Sequence, residues 1–322
     1  MEITKDMTLR QIATLSEFAP MRGKFIASTM GDQMKEKYEL TLLQLEEKHP
    51  TWNPMDILYG LNRLFAVAKS GKQYVFELPN GISLIRMPAA NKKHDAFAIL
   101  MAGGAYGAVC TMVEALPVAA KLNELGMDCF CLNYRTVTAV DFLKGLMPKP
   151  MDDVAAAWRF IKENESFFGV DAENYIAAGF SAGGHLASMW GTAHKGAKSY
   201  GIANPQMLLL AYPLITVEFI EGPAAKMIAT GMFGAAHGAE KVLQYAAHRH
   251  VDEDYPPVYL VQAENDDTVP IAQAGIMEAA LLEAGVRYRM DRAASGGHGF
   301  GLGSATPADG WVERALHFLE GE

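Results

Sequence analysis

The chain has 322 residues, half of them hydrophobic and a fifth charged, which is enough for one large α/β unit or two smaller ones with a sizeable core. A net charge of −9 argues against nucleic acid and anionic membrane as partners. No apolar run approaches membrane-spanning length, the first eight residues lack the apolar core of a signal peptide, and Cys110, Cys129 and Cys131 form no disulfide framework, so a reducing, cytoplasmic setting is expected.

Residues 1–72 read as a helical extension, separate in character from the rest. Thr8 with Gln11 three residues later has capping-box spacing, and Asn53-Pro54 combines a helix N-cap with proline at the first helical position. The helix that follows carries Ile57, Leu58, Leu61, Leu64, Phe65 and Val67 on a broad apolar face and should stop at Gly71. Whether this segment covers the main unit or a second subunit is open, as is a homo-oligomer.

From residue 73 the period changes. Two short strands, around Val75 and Ser83, flank the turn Pro79-Asn80-Gly81. The runs 96–101, 129–134, 175–180, 207–211 and 258–261 are continuous and apolar, as buried parallel strands are, and Tyr288 marks a last strand. Helices are predicted over 111–125, from Asp152 or Asp153 onward, and around Trp311 to Leu319. Strands alternating with helices over 73–322 predict a mostly parallel, doubly wound, eight-stranded sheet. Within it, residues 214–250 lose the pattern and read as a lid insertion or a pair of surface helices.

The chemistry centres on Gly179-Phe180-Ser181-Ala182-Gly183, a G-x-S-x-G between a predicted strand and a predicted helix. A sharp strand-to-helix turn exposes its apex side chain, and the helix N-terminus favours developing negative charge. Ser181 is therefore the candidate nucleophile. Serine needs a base, and the base needs an orienting acid. His298, on the loop Gly297-His298-Gly299, is the candidate base, and Glu264, Asp266 and Asp267 follow a strand where the acid belongs. An oxyanion needs N–H donors, for which Ala182, Gly104 and Ala105 are placed. Tyr106, Met232 and Phe233 are the candidate substrate contacts, the last two in an adaptable apolar wall. Gly103-Gly104 belongs to no G-x-G-x-x-G, so no dinucleotide is implied. His248, His250, Asp252 and Asp254 have ligand-like letters at the start of a strand, a weak metal signal. His185 on the elbow helix reads as packed or capping.

The series Gly103-Gly104-Ala105-Tyr106, Leu132-Asn133-Tyr134-Arg135, Gly179 to Ala187, Tyr212-Pro213, Asp266 to Pro270 and Gly297 to Phe300 resembles α/β-hydrolases of the acetyl-esterase/lipase branch, close to carbohydrate acetylesterases. The resemblance covers the chain from about residue 73 onward. It implies a Ser181–His298–Asp266 triad, choosing Asp266 over Asp267 because the family's acid lies four residues before the proline. It implies hydrolysis of short-chain, acetyl-like esters of small sugars or glycosides, with no metal or organic cofactor. An amidase, formamidase or peptidase on the same triad, and a non-catalytic small-molecule receptor on the same scaffold, are the alternatives. The chain departs from the family at Ala102 and Ala105, where the family has His or Pro and a third Gly.

Overall fold

Five central strands are buried along their whole length, so both faces of the sheet must be covered. The computed structural model describes residues 2–32 and 34–321. Its strands are β1 (Val75–Leu78), β2 (Ile82–Met87), β3 (Phe97–Met101), β4 (Asp128–Asn133), β5 (Tyr175–Phe180), β6 (Met207–Ala211), β7 (Val258–Ala263) and β8 (Tyr288–Ala293). They lie in the order β1-β2-β4-β3-β5-β6-β7-β8. β1 and β2 are antiparallel to their neighbours, and every other pair is parallel.

Helices Ala115–Leu125 and Trp311–Glu320 pack on each other, as do Lys149–Glu163 and Ala182–Trp190. The helix expected from Asp152 or Asp153 begins at Lys149, because Pro150 fits a first turn that needs no N–H from it. Asp153 is instead buried and chelates Arg135. The helix Ala272–Glu283 went unread in the sequence, since small residues blur its face. Residues 214–250 form helices Pro223–Phe233 and Ala239–Leu243.

The N-terminal segment is helical only in part. Both reciprocal caps form, at Thr8 with Gln11 and at Thr41 with Gln44, and Asn53 accepts from the N–H groups of Met55 and Asp56. Between them, the described residues of 22–32 and 34–41 form no helix, and Ala27 makes an isolated β-bridge to Val109. The long helix Pro54–Lys69 packs on Ala115–Leu125 so closely that a Cβ at Gly60 would sit 2.6 Å from Pro117 N. Phe18, Leu42, Leu61 and Leu64 join one continuous core with the strands, so the segment covers its own chain.

Candidate active site

The turn after β5 is dictated by close backbone approaches. A Cβ at Gly179 would lie 2.2 Å from Gly183 O, and one at Gly183 would lie 1.9 Å from Met101 O. Only glycine fits at either position, which is the physical content of the two glycines in the motif. Between them Ser181 adopts φ 50°, ψ −118°, a conformation costing a non-glycine residue about 1–3 kcal/mol. Its N–H donates to Ala211 O at 3.1 Å, tying the strained turn to β6.

The loops that follow β7 and β8 converge on this apex. Ser181 Oγ lies 2.8 Å from His298 Nε2, and His298 Nδ1 lies 2.8 Å from Asp266 Oδ2. The Asp266 side chain is wholly buried. Its other oxygen, Oδ1, accepts from the Thr268 and Val269 N–H groups at 3.0 and 2.9 Å, and Gln262 Nε2 donates to Oδ2 at 3.3 Å. Oδ1 is thus taken up by backbone donors, and Oδ2 accepts from His298 Nδ1. Nδ1 of His298 therefore carries the proton, and Nε2 is free to accept one from Ser181. Asp267 is exposed and, among the described residues, accepts only from the Thr268 hydroxyl. On the His298 loop, Gly297 N–H donates to Asn265 Oδ1 at 3.0 Å.

The loop after β3 lies against the nucleophile: a Cβ at Gly103 would meet Ser181 Cβ at 2.6 Å. Gly104 (φ 129°), Ala105 (φ 52°) and Tyr106 (φ 58°) all take positive φ, so the chain folds back and Gly104 O accepts from Gly107 and Ala108. The Gly104 and Ala105 N–H groups have no acceptor among the described residues. Ala182 is the first residue of its helix, where no intrahelical carbonyl is available to its N–H. The three expected donors thus remain open for an oxyanion.

Sequence reasoning missed Glu114. It is almost fully buried, and its Oε2 accepts from Gly103 N–H at 2.5 Å. Burial pushes its carboxyl above the usual range, against the pull of the Gly103 N–H and of His298. Tyr212 faces Glu114, accepts from Gly301 N–H at 3.1 Å, and sets its ring edge-on to His298 at 5.1 Å. Glu114 and Tyr212 therefore join the oxyanion loop to the histidine loop. The only sequence signal was an acidic residue in an otherwise apolar stretch.

The substrate contacts expected at Tyr106, Met232 and Phe233 need correction. Tyr106 is fully buried, and its hydroxyl donates to His185 Nδ1 at 2.7 Å. Met232 and Phe233 are buried as well, their backbone oxygens accepting from Met147 and Lys241. Helix Pro223–Phe233 turns its preceding residues outward instead. Met227, Ile228 and Gly231, with Val137, Phe142 and Met30, wall a largely apolar cleft of about 350 Å³ that opens on Gly104 and Ala105. A larger groove of about 780 Å³ runs past His248 and Ile276, and no triad residue lines it.

His185 is a brace. Its Nε2–H donates to Tyr245 O at 2.7 Å, linking the insertion to the oxyanion loop through Tyr106, and burial pulls its pKa down to about 4. The ligand-like letters near residue 250 disperse: Arg249 pairs with Glu218, His250 stacks on His194, and Asp254 pairs with Lys198. Among the described residues no group of three or more His, Cys, Asp or Glu is placed to hold a metal, and no helix is long and apolar enough to cross a membrane.

An eight-stranded, mostly parallel sheet with a strained serine elbow after its central strand, an acid after β7 and a histidine after β8 defines the α/β-hydrolase fold. Residues 84–281, more than half of the chain, match the BD-FAE family model, and the chain belongs to that family. It is 28% identical over 206 residues to an acetylxylan esterase of Xylanibacter ruminicola, covering 63% of this chain and 40% of that protein. It is 24% identical over 220 residues to endo-1,4-beta-xylanase B of Butyrivibrio fibrisolvens, covering 66% of this chain and 34% of that one. The chain thus spans about a third to two-fifths of the length of these curated relatives. Among solved structures, the acetyl ester-xyloside bifunctional hydrolase of Caldicellulosiruptor lactoaceticus superposes with a TM-score of 0.64 at 26% identity, covering 76% of this chain and 89% of that one.

Proposed function

We propose that the chain is a serine carboxylesterase acting on short acyl esters, in particular acetyl esters of small sugars or glycosides. The observation that carries the reading is the continuous hydrogen-bonded line from Ser181 Oγ through His298 to the buried Asp266, each link 2.8 Å. In the first half-reaction His298 Nε2 takes the Ser181 proton as Oγ attacks the ester carbonyl. The oxyanion rests on Ala182 with Gly104 and Ala105, and Asp266 holds the imidazolium that forms. His298 then gives the proton to the departing alkoxide. A water, deprotonated by the same nitrogen, hydrolyses the acyl-enzyme. The acetylxylan esterase and the acetyl ester-xyloside hydrolase among its relatives support an acetylated sugar as substrate.

The test is a kcat/KM panel of esters differing in acyl group and in alcohol. Acetyl and propionyl esters should be turned over well. Octanoyl esters should fall by about 5- to 150-fold, the effect of roughly 1–3 kcal/mol of overpacking. Faster turnover of the matching amides than of the esters would overturn the reading in favour of an amidase.

A further inference from the structure

The family match begins at residue 84, yet two stretches of the N-terminal segment border the site. The first holds Met30. Its stretch is pinned to the oxyanion loop and its neighbours: Ala27 and Val109 exchange backbone hydrogen bonds at 3.0 and 2.7 Å, Ser28 Oγ donates to Gly107 O at 2.9 Å, and Thr29 N–H donates to Thr136 Oγ1 at 2.8 Å. Met30 is 54% exposed and, alone among the described residues of the first 72, lines the cleft. With Met227 of the insertion, also largely exposed, it brings a flexible thioether chain to the cleft that opens on Gly104 and Ala105.

The second stretch lies on the histidine loop. A Cβ at Gly297 would meet Thr51 Cγ2 at 2.8 Å, and one at Gly299 would sit 3.8 Å from Trp52 Nε1. Asn53 Nδ2 donates to Ser304 O at 3.3 Å, fixing the stretch to the chain just beyond that loop. Trp52 is half-buried and stacks on His49, with ring centroids 4.2 Å apart. The indole N–H of Trp52 has no acceptor among the described residues. A flat ring pair, with a donor that has no acceptor among the described residues, is thus held against the loop that carries His298.

The chemistry assigns the two sides. His298 must deliver its proton to the leaving oxygen, so the leaving group lies by the histidine loop. The cleft has no residue of that loop in its wall, so the acyl group extends there. We propose that the N-terminal segment is a specificity element of this site, with Met30 walling the acyl cleft and Trp52, backed by His49, forming a platform for a ring-shaped leaving group such as a sugar. The inference rests on the esterase reading above.

Two single variants of the full chain test it. With the 4-nitrophenyl leaving group held constant, Met30→Trp should lower the butyryl-to-acetyl ratio of kcat/KM by about tenfold, because the larger side chain fills the cleft. With the acetyl group held constant, Trp52→Ala should lower the ratio of acetylated methyl xyloside to ethyl acetate by about tenfold, largely through KM. Each variant should leave the other ratio within about twofold, as independent sites do. A parallel loss on all substrates would mean that the segment only supports the fold, and unmoved ratios would mean that it does not touch substrate. Either result overturns the inference while the esterase reading survives. A wild type inactive on every ester would overturn that reading, and the inference with it.

Discussion

The elbow and the rim of the cleft obey different rules. At the elbow, each residue type is forced by something within reach. Gly179 and Gly183 are required by backbone atoms about 2 Å from where a Cβ would be, Ser181 is held at φ 50°, and Asp266 is fixed by the N–H groups two and three residues ahead. At the rim, side chains come from residues 30, 137, 142, 227 and 228, brought together by the packing of remote elements. Chemistry that depends on backbone geometry leaves a local signature in sequence. A substrate wall built from distant, interchangeable apolar residues leaves almost none.

The sharpest way to break this contrast is at the two neighbouring acids. Asp266→Asn should lower kcat by about 10³–10⁴, since His298 would lose the charge that fixes its tautomer, as in other triads. Asp267→Asn, on an exposed side chain, should change kcat by less than about threefold. Steady-state kinetics of both variants would show at once whether the assignment should be reversed.

Glu114 sharpens the comparison, because it lies between the two regimes. It is far from any motif but braces Gly103 directly. Glu114→Ala should lower kcat by about 10- to 100-fold with a smaller change in KM, as expected when a supporting hydrogen bond to a reacting group is lost. Glu114→Gln retains an acceptor for Gly103 N–H and should recover most of that loss. Similar kcat values for the two variants would remove Glu114 from the account.

The smallest effect belongs to Ala105, whose φ of 52° explains why the family pattern has glycine at this position. Ala105→Gly should relieve left-handed strain and stabilise the fold by about 0.5–1 kcal/mol after the added unfolded-state entropy of glycine. Thermal unfolding would register this as a rise in Tm, with activity nearly unchanged. A fall in Tm would show that the methyl group packs usefully.

The sheet was legible because buried parallel strands read as unbroken apolar runs; Ser181 and His298 stood out because strand ends place such residues in a fixed order, whereas Asp266 was singled out from Asp267 only by the family resemblance. The same reasoning placed Met232 and Phe233 at the substrate, because composition marks a helix as apolar without saying which side faces the cleft. The residues of this helix that line the cleft, Met227 and Ile228, lie four to six positions earlier, more than a full helical turn. Tyr106 was misplaced for a related reason. Its neighbours Gly104 and Ala105 face the site, while the turn at positive φ sends the Tyr106 ring inward to His185. The described residues of 22–32 and 34–41 form no helix, and two of them, Ala27 and Thr29, are held by Val109 and Thr136 from far along the chain, which no local pattern reports.

The central claim is that Ser181 is an activated nucleophile, and covalent capture tests it most directly. The wild type, treated with a fluorophosphonate and analysed by peptide mass spectrometry, should carry one adduct, on the peptide containing Ser181. Ser181→Ala should remain unlabelled while keeping the wild-type thermal transition. An unlabelled wild type that nonetheless hydrolyses esters, or an adduct on any other residue that persists in Ser181→Ala, would contradict the account.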